Sequence, residues 1–315
     1  MRTRTRVLVL RAIGLGDLLT GVPALRALRR ARPDAELVLA APAWQRPLVE
    51  LSGAVDRLLP TEELAPVAWD GPAPDLAIDL HGNGEPSRAI LRAVSPGRLV
   101  AFESSDGPRW EAEEQERARW CRLVAWACPG VATDPDDVLL ARPAAPPVVA
   151  GAAIVHCGAA SASRRWPAER FAAVAELLTR RGLPVVLTGS AAEAPLAEEV
   201  RRLAELPPEA VLAGRTDVAE LAALVASARL LVSGDTGIAH LASAYRTPSV
   251  LLFGPTPPDR WGPPPGPHTV LWHGTRVGDP HASRPDPALL AITVPEVLAA
   301  VEQRLRLPVP AAAGT

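Results

Sequence analysis

The chain has 315 residues, 48% of them hydrophobic, and a formal net charge of -2 at pH 7. This length favours two domains, because one hydrophobic core usually stops growing at about 250–300 residues. A charge this close to zero excludes the overall basic field that attracts nucleic acid, so we expect no nucleic-acid partner.

Cysteine usage and the N-terminal pattern both favour a cytoplasmic protein. Cys121, Cys128 and Cys157 form neither a set of paired disulfides nor the CxxC spacing of a zinc site. The basic start followed by VLVL at residues 7–10 resembles a signal peptide, but charged residues soon interrupt it and no small-residue cleavage site follows. Because no uncharged stretch reaches the roughly 18 residues of a spanning helix, we expect at most peripheral membrane contact.

The first half of the chain alternates short apolar runs with helical patterns. Residues 7–10 predict a strand, and leucines at helical spacing predict a helix directly after it. Further strands are predicted at residues 36–40, 75–80 and 99–102. Strands that alternate with helices favour a parallel, doubly wound α/β sheet.

A proline-rich stretch at residues 142–147 has neither a helical nor a strand period and predicts a linker. We therefore expect an N-terminal Rossmann-like domain over residues 1–147, a C-terminal one with a terminal helix over residues 148–308, and a disordered tail over residues 309–315. Two similar halves joined once predict a cleft between them.

The second half repeats the alternation. Strands or helices are predicted at residues 153–156, 168–181, 185–188, 196–203, 211–212, 218–226, 230–232, 238–244, 250–253 and 294–307, with Gly182 capping the helix at residues 168–181. Residues 255–267 are rich in proline and too irregular for either element, so they predict a loop.

The first strand ends in the turn Gly14-Leu15-Gly16-Asp17, which opens a helix. Glycines here let a ligand approach the backbone, and a helix N-terminus offers unpaired amides. A dinucleotide fingerprint would need a third glycine where Leu19 stands, which disfavours a nicotinamide enzyme. Asp17 lies where open α/β sheets place ligands, although an aspartate taken alone is more often a helix N-cap.

Two turns of the second half have the chemistry of a nucleotide site. Ser161 and Arg164 present a hydroxyl and a guanidinium group, which match phosphate oxygens, although a solvated surface loop has the same pattern. Gly189 and Glu193 follow the next strand, where the carboxylate would accept hydrogen bonds from ribose hydroxyls or stabilise the helix dipole.

The segment at residues 234–240, GDTGIAH, also follows a strand and opens a helix. Glycine, threonine and a helix N-terminus coincide here, as a phosphate group requires. His240 would add positive charge when protonated, although a lone histidine more often has a structural role. The loop histidines His268, His273 and His281 lack partners at metal-ligand spacing.

Together these segments resemble glycosyltransferase family 9, which contains the bacterial lipopolysaccharide heptosyltransferases. The matching stretches are RAIGLGDLLTGVPALRALRRARPDAEL, DLHGN, SASRRWPAERFAAVAELL, VVLTGSAAE and the run from LAGRTDVAEL to PPDRWGP. They occur in the expected order over most of residues 6–264, whereas residues 44–70 and 98–142 show no clear match. The resemblance implies a GT-B fold, with two Rossmann-like doubly wound domains facing a central cleft. It also implies that the acceptor binds mainly to the first half and the donor to the second.

The same resemblance implies a metal-independent, inverting transfer of heptose from a nucleoside diphosphate sugar, typically ADP-heptose, to a glycan or small-molecule acceptor. It implies no cofactor and no metal. Asp17 matches the family's proposed general base, and Arg164 stands where the family has a lysine. The remaining implied contacts are Ser161, Arg164, Asp235, Thr236, Gly237 and His240 on the donor diphosphate, Glu193 and Gly189 on its ribose or base, and Gly14, Gly16, His81 and Asn83 in the acceptor-side loops.

Elementary chemistry agrees with these roles. A carboxylate base that takes the acceptor proton is typically worth about 10²–10⁴-fold, and Arg164 would stabilise the departing diphosphate. Asp134-Pro135-Asp136 has the letters of a metal-binding motif, but it follows no clear strand and is interpreted as a loop. Two alternatives share the fold: a nucleotide-sugar binding protein without catalysis, and a nucleotide-sugar epimerase.

Overall fold

The computed structural model describes residues 4–307, which form two compact units that divide at residues 141 and 142. We call residues 4–141 unit 1 and residues 142–307 unit 2. The division falls at the first residue of the proline-rich stretch at 142–147. The predicted tail at residues 309–315 lies outside the described residues.

Unit 1 is built on a parallel sheet with the strand order β3-β2-β1-β4-β5. Its strands are β1 (Arg6–Leu10), β2 (Glu36–Ala41), β3 (Arg57–Pro60), β4 (Leu76–Asp79) and β5 (Leu99–Val100). β1 is central, with Val7 opposite both Leu37 of β2 and Leu76 of β4. Its continuous apolar run suits this position, because a central parallel strand is buried on both faces.

The helices of unit 1 cover the sheet. They are α1 (Leu15–Ala31), α2 (Arg46–Ser52), α3 (Glu85–Ala93) and α4 (Glu116–Ala127). The predicted first strand and the helix after it are confirmed, as is the parallel α/β class.

Unit 2 contains a second parallel sheet, with the strand order β10-β9-β8-β6-β7. Its strands are β6 (Ala153–His156), β7 (Val185–Thr188), β8 (Leu230–Gly234), β9 (Ser249–Leu252) and β10 (His268–Leu271). Its helices are α5 (Ala168–Arg180), α6 (Ala194–Leu203), α7 (Val218–Ser227), α8 (Gly237–Ala244), α9 (Pro258–Trp261), α10 (Pro287–Ala291) and α11 (Val294–Arg306). Gly182 follows α5 with a φ of +74°, the left-handed conformation that typically ends a helix.

Two predictions for the second half are wrong. Residues 211–212 do not form a strand, since Val211 makes only an isolated bridge to Leu187 at the edge of the sheet. Residues 255–267 are not wholly irregular, because the one-turn helix α9 lies within them. Pro258 occupies its first position, where the missing amide proton costs nothing.

The sequence also left β3, β10 and α4 without a prediction. In the part of the chain that the structure describes, no helix is both long and apolar enough to span a bilayer.

Candidate functional site

The predicted donor-side residues of unit 2 lie in loops that follow three adjacent strands. His156 at the end of β6 is opposite Thr188 of β7 and Ser233 of β8. The His156 ring nitrogen Nδ1 lies 3.0 Å from the Thr188 hydroxyl. The three loops therefore begin side by side at the carboxyl edge of the sheet, where open α/β folds bind ligands.

The loop after β8 leads into the N-terminus of α8. Thr236 is the N-cap residue and Gly237 begins the helix. The Thr236 hydroxyl is buried and has no hydrogen-bond partner among residues 4–307. A buried hydroxyl without a partner is costly, so a ligand oxygen at this helix N-terminus would satisfy both the hydroxyl and the unpaired helix amides.

Arg164 brings a positive charge to the same place. It ends a 3-10 turn, and its Nη1 lies 3.5 Å from the carbonyl oxygen of Asp235. A Cβ atom at Gly234 would lie 3.0 Å from the Arg164 carbonyl oxygen, so glycine allows this turn to approach β8. Nε of Arg164 is buried without a partner in the described chain, which leaves it able to donate to a ligand.

Asp235 is a buried carboxyl group beside this arginine. Burial raises its pKa to about 6, and the positive charge of Arg164 opposes the rise. A carboxyl group that is partly protonated near neutral pH repels a phosphate less than a fully ionised one. Arg164, Asp235, Thr236 and Gly237 are thus brought together at one helix N-terminus.

Glu193 closes the loop after β7 and already has a structural role. Its Oε2 accepts hydrogen bonds from the Ser190 amide at 2.7 Å and the Ser190 hydroxyl at 2.9 Å, within a capping box. A Cβ atom at Gly158 would lie 2.3 Å from the Glu193 carboxylate, and one at Gly189 would lie 3.1 Å from Glu193 Cβ. The structure thus bears out the helix-stabilising interpretation, and the ribose contact stays a prediction.

Ser161 is engaged within the protein. Its hydroxyl donates to the Ala282 carbonyl at 3.1 Å, and its oxygen lies 3.2 Å from the Ser163 hydroxyl oxygen. Ser163 in turn donates its hydroxyl to the Pro280 carbonyl at 2.8 Å. These bonds fix the loop that carries Arg164, and the Ser161 contact to a diphosphate stays a prediction.

Sequence reasoning assigned no role to two residues near this site. His156 is half-buried, and the loss of solvent around its ring lowers the ring pKa while Glu193 opposes the fall. Trp261 of α9 packs its ring edge to face against His240, with centroids 6.0 Å apart. The position of His156 at the end of a predicted strand could have marked it as a site residue. Trp261 could not be assigned in this way, because the proline-rich sequence around it predicted only a loop.

Asp17 in unit 1 is not a helix N-cap, contrary to the interpretation favoured for an aspartate taken alone. α1 begins at Leu15, so Gly14 is the N-cap and Asp17 is the third helical residue. A Cβ atom at Gly14 would lie 3.3 Å from Oδ2 of Asp17, so the carboxylate folds back over the glycine. The half-buried carboxylate of Asp17 therefore sits at the positive end of the α1 dipole.

The acceptor-side residues His81 and Asn83 follow β4, which pairs directly with β1. Burial lowers the pKa of His81 and Arg11 adds to the effect, while Glu63 and Asp17 oppose it. Asp79 accepts the His81 amide at 3.0 Å and the Ser87 hydroxyl at 2.7 Å, and burial raises its pKa to about 6. His81 therefore lies close enough to Asp17 for that charge to act on its pKa. The Asn83 side chain is exposed.

The aspartates at residues 134–136 lie in a loop, as predicted, and Asp136 pairs with Arg117 at 3.2 Å. Within residues 4–307, no group of three or more His, Cys, Asp or Glu side chains is arranged to hold a metal ion.

Comparison with known proteins identifies relatives of this chain. Residues 133–289 match the family described as glycosyltransferase family 9 (heptosyltransferase). Lipooligosaccharide heptosyltransferase 2 of Haemophilus influenzae is 38% identical over 107 residues, which are 32% of this chain and 30% of that protein. The match therefore spans less than a third of that relative. Lipopolysaccharide heptosyltransferase 2 of Salmonella typhimurium is 26% identical over 81% of this chain and 84% of its own.

The fold is also shared with a solved structure. The ADP-heptose lipopolysaccharide heptosyltransferase II of E. coli superimposes with a TM-score of 0.77 at 22% identity, over 96% of this chain and 98% of that one. At this identity the likeness concerns the fold alone. It confirms the GT-B class, with two Rossmann-like units, that the resemblance of the sequence implied.

Proposed function

Because the chain belongs to glycosyltransferase family 9, we propose that it transfers a heptose-type sugar from a nucleoside diphosphate sugar to a hydroxyl group of a glycan or small-molecule acceptor. The proposed donor is ADP-heptose, which the name of the structurally similar E. coli enzyme contains. The observation that carries the proposal is the buried, unpartnered Thr236 hydroxyl at the α8 N-terminus, beside the Arg164 guanidinium. A cytoplasmic location and at most peripheral membrane contact stay predictions from the sequence.

Unit 2 would bind the donor. The diphosphate would accept hydrogen bonds from Thr236, from the first amides of α8 and from Arg164, whose planar fork suits phosphate oxygens. Glu193 would bind the ribose through Oε1, because Ser190 already occupies Oε2.

The proposed reaction is a single inverting displacement. The acceptor oxygen attacks the anomeric carbon, the bond between that carbon and the diphosphate oxygen breaks, and the acceptor proton passes to the Asp17 carboxylate. Negative charge develops on the leaving nucleoside diphosphate, where Arg164 and the α8 N-terminus would stabilise it. In this mechanism the positive charge comes from the protein, so we propose that no metal ion is required.

Turnover of ADP-heptose with and without EDTA tests the proposal, with wild type compared to Asp17→Asn. We expect activity to persist in EDTA and Asp17→Asn to lower kcat by about 10²–10⁴-fold, the usual contribution of a general base. The matched control is Asp34→Asn, which removes an exposed carboxylate from the same unit and should leave kcat unchanged. Full activity of Asp17→Asn, or loss of activity in EDTA, would refute the mechanism.

The nucleobase is tested separately by thermal unfolding in the presence of ADP, UDP, GDP and dTDP. ADP should give the largest stabilisation, since a ligand at 100 times its Kd adds about 2.7 kcal/mol. Strong stabilisation by a nucleotide without sugar release from any acceptor would instead favour a binding protein. Release of a modified sugar from the donor alone would favour an epimerase.

A further inference from the structure

Arg11 is a fully buried charged residue directly after β1. Its guanidinium donates hydrogen bonds to three groups on two elements. In α1 they are the Asp17 carbonyl and, at 2.9 Å, the Thr20 hydroxyl, and directly after β4 it is the Leu80 carbonyl. Thr20 also donates to the Asp17 carbonyl at 3.0 Å. One side chain thus joins the turn that carries Asp17 to the loop that begins at Leu80 and carries His81.

The Arg11 charge faces Glu116 inside unit 1, a carboxylate that also pairs with Arg119. Nη2 of Arg11 lies 3.8 Å from Oε1 of Glu116, and the guanidinium lies 4.5 Å from the centre of the Trp120 ring. Trp120 donates its ring N–H to the same Glu116 oxygen at 2.7 Å. Since burying an ion pair is often no better than apolar packing of the same volume, the fold alone does not require an arginine here.

Gly21 provides the space that Arg11 occupies. A Cβ atom at position 21 would lie 2.7 Å from both Cδ and Nε of Arg11, closer than real side chains approach one another. Gly21 lies in the interior of α1, where alanine would otherwise favour the helix by about 1 kcal/mol. Gly21 therefore lowers the intrinsic stability of α1 at the position where the helix contacts the Arg11 side chain.

We propose that Arg11 is a positioning residue, which holds the Asp17 turn and the His81 loop in one fixed arrangement by bonding the carbonyls of both. This inference rests on the proposed role of Asp17 as general base. The fork of Arg11 is required because its nitrogens point at carbonyls in different directions, which the single ammonium group of lysine cannot reach together.

Arg11 also acts on His81 through its charge. Burial lowers the pKa of the His81 ring, Arg11 lowers it further, and Glu63 and Asp17 oppose the fall. Asp79 contacts the His81 backbone amide. Removal of the Arg11 charge should therefore raise the pKa of His81, which gives a measurement that does not depend on turnover.

The experiment compares the kinetics of Arg11→Ala, Arg11→Lys, Gly21→Ala, Arg11→Ala/Gly21→Ala and Thr20→Val. We expect Arg11→Ala and Gly21→Ala each to lower kcat by about 10²-fold, the effect of displacing a catalytic group by about 1 Å, with an unchanged KM for the donor. Arg11→Lys should recover only part of kcat. The double variant should be no worse than Arg11→Ala alone, because Gly21→Ala acts only by displacing Arg11.

Two controls separate positioning from folding. Arg32→Ala, which removes an exposed arginine of unit 1, should leave kcat unchanged, and circular dichroism should show that each variant is folded. Thr20→Val keeps the shape of the side chain and removes one Arg11 contact, so it should fold and lower kcat several-fold. If the Arg11 and Gly21 variants do not fold, an unchanged kcat in Thr20→Val overturns the inference.

The His81 titration, followed by NMR, distinguishes this inference from the proposed function. If wild type transfers no sugar, or Asp17→Asn is fully active, the proposed function fails, whereas a rise in the pKa of His81 in Arg11→Ala would still support the arrangement. If Asp17→Asn behaves as proposed but folded Arg11→Ala and Gly21→Ala keep full kcat, only the positioning role is overturned.

Discussion

Asp235 shows how a single buried carboxyl group couples the candidate donor site to pH. Burial raises its pKa to about 6 despite the nearby charge of Arg164, whereas an unfolded chain would have the ordinary value of 3.8. Below pH 3.8 the group is protonated in both states, so the folded state loses nothing there. As pH rises from 3.8 to about 6, the unfolded state loses this proton while the folded state keeps it, so stability falls over that interval and stays constant above it.

We therefore expect Asp235→Asn to be more stable than wild type without ligand at pH 7. The shift from 3.8 to about 6 corresponds to a difference in unfolding free energy of up to about 3 kcal/mol, at about 1.4 kcal/mol per pKa unit. Urea unfolding of both proteins between pH 4 and pH 8 measures it. The difference should grow up to about pH 6 and then stay constant. A difference that does not depend on pH, or one also seen with the exposed Asp259→Asn, would contradict this account.

At the level of single residues, the sequence predicted only part of the candidate site. The turns with Asp17, Arg164, Glu193 and Thr236 could be identified because glycine, hydroxyl and charged residues directly follow apolar strands. The role of Arg11 could not be identified, since its partners include Leu80 and Glu116, far away in the sequence. A pattern read along the chain does not show which carbonyl groups a buried side chain will meet.

At the scale of elements, the predicted strands are those with continuous apolar runs, because central parallel strands are buried on both faces. β3 and β10 were missed for the opposite reason: both are edge strands, and β10 is only half-buried. α4 was missed because Glu116, Arg117 and Arg119 are buried, with Arg119 paired to Glu116 and Arg117 paired to Asp136. Buried ion pairs break the amphipathic period by which a helix is predicted.

Capping boxes give a matched test of the second role proposed for Glu193. Ser190 and Glu193 form one box before α6, and Asp217 and Glu220 form another before α7. We expect Glu193→Ala and Glu220→Ala each to lower the unfolding free energy by about 1 kcal/mol, the usual value of a cap. Only Glu193→Ala should weaken ADP binding, by about 10-fold or more, because hydrogen bonds to a charged group are worth about 1.5–3 kcal/mol.

Isothermal titration with ADP, together with urea unfolding, checks both quantities on the same samples. Glu220 serves as the control because its capping box has the same hydrogen bonds. The helix that it caps, α7, does not begin in one of the three loops of the candidate site. Equal ADP affinities in the two variants would mean that Glu193 has only the structural role.

At the scale of the whole molecule, each unit has its own parallel sheet and its own buried core. The groups assigned to the donor diphosphate all belong to unit 2, whereas Asp17 and His81 belong to unit 1. A nucleotide that contacts only donor-side groups should therefore stabilise the sheet of unit 2 directly. Units with separate cores often unfold separately, which makes this distribution measurable.

Native-state hydrogen exchange with ADP at 100 times its Kd tests this expectation. Amides of β6, β7, β8 and β9 that exchange only by unfolding of unit 2 should become about 100-fold slower, the equivalent of about 2.7 kcal/mol. Amides of β1, β2 and β4 should keep their rates, because ADP binds none of the groups of unit 1. The Arg164→Ala variant, with a weakened diphosphate site, should show a much smaller effect at the same ADP concentration. Equal protection of both sheets would mean instead that the two units unfold as one, since a ligand stabilises every amide that the same unfolding event exposes.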